Sequence, residues 1–133
     1  MDTPSKTVRT FIAAYYAWNE ASNKRTGALD PSSSEHRTAM EAAGIDYDGL
    51  IHKLCLSSVV RQGIAFGDRP SHHPGQEIID SEAVSLDTAI VRTRNVGPDG
   101  FVAKYEYYLA KEAEEWRIGS LLYVDGENKY ECL

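Results

Sequence analysis

Polar and apolar residues alternate with a period of two across Phe101 to Leu109. Phe101, Ala103, Tyr105, Tyr107 and Leu109 fall on one side; Val102, Lys104, Glu106 and Tyr108 fall on the other. That period predicts a strand. After a charged break from Glu112 to Glu115, a second strand is expected from Trp116 through Ile118, Ser120, Leu122 and Val124. Asp125-Gly126 can then turn the chain back through Tyr130 to Leu133. The N-terminal segment carries the other period. Val8, Phe11, Ile12, Tyr15, Trp18 and Asn19 follow i, i+3, i+4, i+7 spacing, which predicts a long amphipathic helix. Thr3 can cap it, Pro4 suits its first turn, and Gly27 is a natural stop.

Between these two regions the pattern is more broken. Ala28 to Ser34 reads as a loop. Ser34 is expected to cap a short helix from Glu35 to Ala43, closed by Gly44. Asp46 or Asp48 then opens a third helix whose buried stripe is Leu50, Ile51, Leu54 and Cys55. Ser57 to Gly75 is irregular, with a short strand at Val59-Val60; a connection of that length in a compact domain carries function or packs as an ordered loop. Strands resume at Gln76 to Ala83 and Ser85 to Asn95, the latter setting Leu86, Thr88 and Ile90 against Ala89, Val91 and Thr93. Gly97-Pro98-Asp99-Gly100 makes a strong hairpin signal. Helices followed by a run of antiparallel strands define an α+β class, and residues 1–133 are expected to form a single domain.

Twenty acids against fourteen bases give a net charge of −6, and residues 105–133 alone hold seven acids and three bases. This balance disfavours nucleic acid and anionic membrane as partners and suits a basic protein partner. The N-terminus lacks the pattern of a secretory signal and no apolar run is long enough for a membrane span, so a cytoplasmic location is expected. Cys55 and Cys132 are then expected to be free thiols serving as small apolar fillers.

Candidate chemistry is sparse. His72-His73 lacks a ligand partner at metal spacing and is expected on a surface loop; His36 and His52 sit on predicted helices without a carboxylate at i+4. Asp46 and Asp48 do not complete a calcium loop. No nucleophile elbow, phosphate loop or dinucleotide fingerprint occurs. Asp80 and Asp87 lie on strands without an obvious partner. Tyr15, Tyr16, Tyr105, Tyr107 and Tyr108 could line a pocket between the long helix and the sheet, or fill the core and its rim. No catalytic residue, metal or cofactor is expected.

The segments Phe11–Trp18, Ile64 to Pro70 (Ile-Ala-Phe-Gly-Asp-Arg-Pro), Gly75–Glu82, Ala89–Thr93, Tyr105–Lys111 and Trp116 to Leu121 (Trp-Arg-Ile-Gly-Ser-Leu) occur in this order. In that order the chain resembles the bacterial NTF2 fold immunity proteins over about residues 8–133. The resemblance implies an NTF2-like cone, with N-terminal helices packed in a curved, mostly antiparallel sheet. It also implies a cognate antitoxin that binds and neutralises a bacterial toxin domain. The family supplies no catalytic residues, and its partner contacts are not fixed by motif. Charge alone selects Asp68, Glu112, Glu114, Glu115, Asp125 and Glu127 as candidate partner-binding residues. The competing expectation is an NTF2-like pocket enzyme or small-molecule binder of the isomerase or dehydratase type; a homodimer through the open sheet face is a further one.

Overall fold

A computed structural model describes residues 2–133. Two helices, α1 (Pro4–Gly27) and α2 (Ser34–Leu54), precede five strands: β1 (Glu77–Ser85), β2 (Thr88–Val96), β3 (Val102–Glu112), β4 (Glu115–Asp125) and β5 (Asn128–Glu131). The strands form one antiparallel sheet in chain order, and its curvature around α1 gives the α+β arrangement of an NTF2-like cone.

Thr3 caps α1, its Oγ1 accepting from the Lys6 N–H at 3.2 Å. The stripe from Val8 to Asn19 is buried as its spacing predicts, with Val8, Phe11 and Asn19 fully enclosed. Against it, the concave face of the sheet sets Ala89, Val91 and Thr93 of β2, Ala103, Tyr105, Tyr107 and Leu109 of β3, and Trp116 and Ile118 of β4. Phe101 departs from its expected place: it precedes β3 and is exposed.

Four expectations need correction. The two short helices are one. The stripe Ala39, Ala43, Tyr47, Ile51 advances four residues at a time straight past Gly44, and its burial outweighs the roughly 1 kcal/mol that a mid-helix glycine costs. Ser33, not Ser34, is the cap, accepting from the His36 N–H at 3.1 Å. Asp46 and Asp48 therefore lie inside α2, paired with Arg25 and Arg61. Second, Val59-Val60 is no strand. The chain touches the sheet at Cys55, bridged to Ile118, and Val60 is exposed. Third, the β1–β2 turn falls at Leu86-Asp87, with Leu86 at φ 41°, so both residues leave the strand pattern.

The last correction is the alternation along β4. Tyr108 pairs with Ser120 but Leu109 pairs with Ile118, so Gly119 bulges out of the ladder. Beyond the bulge the parity flips: Leu121 is buried in place of Leu122. A Cβ at Gly119 would stand 2.8 Å from Leu56 Cδ1, so a side chain there would push the tip of Leu56 aside.

Arg117 ties the helices to the sheet. Its Nη1 donates to the carbonyls of Lys53 at 2.9 Å and His52 at 3.2 Å, satisfying the end of α2. Among the described residues no helix is long and apolar enough to cross a membrane.

Candidate functional site

The loop between α2 and β1 folds back over the wide end of the cone. Asn19 holds it with a reciprocal pair, Nδ2 donating to the Gly67 carbonyl at 2.8 Å and Oδ1 accepting from the Gly67 N–H at 3.1 Å. Tyr15 Oη donates to the Ala65 carbonyl at 3.4 Å, and Phe66 packs edge-on to Trp18, 5.6 Å between ring centroids. These contacts carry the chain to His72, which the fold treats unlike the expected surface histidine. It is 2% exposed, lying between Tyr15 (4.8 Å) and Tyr105 (4.5 Å), and only His73 remains near the rim.

Glu77, the first residue of β1, is the partner that ligand-spacing arguments missed. Its Oε1 accepts from His72 Nδ1 at 2.7 Å; its Oε2 accepts from Tyr107 Oη at 2.7 Å and Thr93 Oγ1 at 2.6 Å. Tyr107 and Thr93 each have one hydroxyl proton, and both go to the carboxylate. His72 therefore faces the carboxylate as a donor through Nδ1–H. Burial and the Glu77 carboxylate push the Tyr107 phenol well above its ordinary range, so it stays a donor. The sequence signal for this network was an acid at the inward-facing start of a strand, in step with Ile79.

Above the network lies a cavity of about 720 Å³, within the range of small-ligand sites. Tyr15, Tyr105 and Tyr123 form its aromatic wall, His72 its floor, and Asn95 part of its side. Glu20, Asp68, Arg69 and Asp99 stand at the rim, where Arg69 pairs with Asp99 at 2.9 Å. Of the five tyrosines picked from sequence, Tyr15, Tyr16 and Tyr105 line this space. Tyr107 is buried beneath it, and Tyr108 faces away, donating to Glu106 on the convex side.

The six candidate acids do not form one patch. Asp68 is at the cavity rim, accepting from Asn23 Nδ2 at 2.8 Å. Asp125 and Glu127 flank the β4–β5 turn at the same end of the sheet. Glu112, Glu114 and Glu115 occupy the β3–β4 turn at the opposite end, roughly 30 Å away along the strands. There Glu112 accepts from Ser57, and Glu115 pairs with Arg117 at 3.3 Å. Asp80 pairs with Arg94 on the convex face and Asp87 sits in a turn; neither joins the cavity. Among the described residues no group of three or more His, Cys, Asp or Glu side chains is gathered to hold a metal.

Compared with known proteins, the chain matches no family model, no curated protein and no solved structure.

Proposed function

We propose that this protein is an immunity protein that binds and neutralises a cognate bacterial toxin domain. The observation that carries the proposal is that the segments bearing the resemblance are one packed unit. Phe11 meets Tyr107, Tyr15 donates to the Ala65 carbonyl, Phe66 contacts Trp18, Val91 pairs with Tyr107, and Leu109 pairs with Ile118. Residues that follow one another in the resemblance thus depend on one another in space, which is what a shared signature requires. An acidic chain suits this role: toxin clefts that take RNA, DNA or nucleotides are basic, and a net charge of −6 steers such a cleft toward it. Co-expression with the product of an adjacent toxin gene tests it. Rescue of growth together with a stable complex is expected; no rescue and no affinity would overturn the proposal.

One observation favours a second reading, a pocket enzyme or small-molecule binder. The His72–Glu77 pair borders a cavity large enough for a ligand, and a carboxylate-oriented imidazole is a common general base. It ranks second because the two side chains are 2% and 0% exposed, so a reactant reaches only the ring edge. Under this reading His72→Gln would abolish ligand turnover, and the protein would give no protection against a toxin. The immunity proposal expects no turnover to lose.

A further inference from the structure

We propose that the mouth of the cone receives a basic side chain, arginine or lysine, presented by the protein partner. The inference rests on the immunity reading for the source of that side chain, and on the cavity itself for its chemistry. Three independent features point to an organic cation that donates hydrogen bonds.

The first is charge. Three carboxylates, Glu20, Asp68 and Asp99, stand at the rim against one cation, Arg69, and that cation is engaged by Asp99 at 2.9 Å. Glu20 is exposed and makes no ion pair among the described residues. An anionic guest would meet this field unfavourably. The second is the wall. Tyr105 and Tyr123 lie 5.8 Å apart, and the Tyr15 and Tyr105 hydroxyls are anchored on loop carbonyls, which fixes the rings. Fixed tyrosine faces attract a cation that has left water.

The third is an unmet acceptor. Asn95 lines the cavity and is 8% exposed, yet its Oδ1 has no hydrogen-bond partner. A buried carbonyl oxygen without a donor is costly, and an apolar guest would leave it so. A guanidinium or ammonium group supplies the N–H that it lacks.

The test titrates the full chain with N-acetyl-arginine amide and, in parallel, with its uncharged isostere N-acetyl-citrulline amide, followed by NMR. The arginine probe is expected to shift the Asn95 side-chain amide and the Tyr105 ring, and to bind about tenfold more tightly than the citrulline probe. Asn95→Leu should weaken that binding without lowering the melting temperature, because it removes an unpaired group; Glu20→Gln with Asp68→Asn should weaken it by a separate route. Equal binding of the two probes, or shifts confined to residues outside the cavity, would overturn the inference. A second arm measures affinity for the adjacent toxin product. Weaker toxin binding by the same variants supports a partner side chain as the guest. Toxin binding that ignores them overturns the inference and leaves the immunity role standing. Selective probe binding with no toxin affinity at all overturns the partner as source, together with the immunity role.

Discussion

On the concave face of the sheet Glu77 is enclosed by the donors His72, Tyr107 and Thr93, with no lysine or arginine among them. On the convex face Glu106 is nearly as well covered, but by Lys129 at 2.9 Å, Arg92 at 2.9 Å and Tyr108 at 2.9 Å. Each carboxylate is satisfied by three partners, and the partners differ in kind. On the concave face the buried acid is held by an imidazole and two hydroxyls, and the one arginine or lysine at the mouth, Arg69, is paired with Asp99. The convex face gathers cations, with Arg92, Arg94 and Lys104 on adjoining strands. The convex cations are largely paired with Glu106 and Asp80, whereas the mouth sets three carboxylates against Arg69, so a basic side chain is drawn to the mouth in preference to the convex face.

The comparison breaks most visibly if the concave side is disturbed. Trp116→Ala should cost roughly 3–5 kcal/mol, because a large side chain only 8% exposed leaves a cavity behind it. Glu77→Ala should cost a similar amount, about 3 kcal/mol or more, since it strands three buried donors at once. Chemical denaturation measures both. Loss of less than about 1 kcal/mol for either would mean that the cone core is looser than described.

On the convex side the effect is smaller and tied to pH and salt. Lys129 first, then Arg92 and Tyr108, hold the Glu106 carboxyl down to about 2, against an ordinary value of 4.5. A depressed carboxyl stabilises the fold above its unfolded value, and that stability is lost as pH falls from about 4.5 towards 2. Both cations are about half exposed, so solvent screening leaves about 1–2 kcal/mol of this stabilisation. Glu106→Gln should flatten the acid limb of the stability profile, and added salt should erase part of the difference. The Glu77 network, enclosed away from solvent ions, should show little salt dependence.

Which of these features the chain disclosed follows from the range over which each signal acts. The α1 stripe and the β3 alternation are local periods, and burial kept the first and, from Ala103 to Leu109, the inward side of the second. Gly44 misled because glycine reports backbone freedom, whereas the Ala39 to Ile51 stripe that overrides it is satisfied only by packing against α1. The β4 flip is a shift of register against β3 at Gly119, and a pairing between strands is not carried by the local alternation of either one. His72 and Glu77 are five apart, but they meet only because Asn19 and Tyr15 fold the loop back over the mouth. The candidate acids were chosen by charge alone, and charge does not tell one end of a hairpin from the other.

The smallest expected effect concerns the thiols. Burial pushes Cys55 and Cys132 up to about 12 each, so neither ionises near neutral pH. Both should resist alkylation at pH 8 in the native protein and react promptly in denaturant. Fast native labelling of Cys132, which borders the cavity, would show that the mouth opens more widely than described.

The most direct test of the proposed immunity role is the association rate with the product of any toxin gene found adjacent, followed by stopped flow at two salt concentrations. Wild-type protein should associate rapidly and slow as salt is raised. Glu20→Lys with Asp68→Lys at the mouth should slow association by about tenfold, and Glu114→Lys with Glu115→Lys at the far end by less. Absence of any measurable association with that toxin domain would contradict the account at its centre.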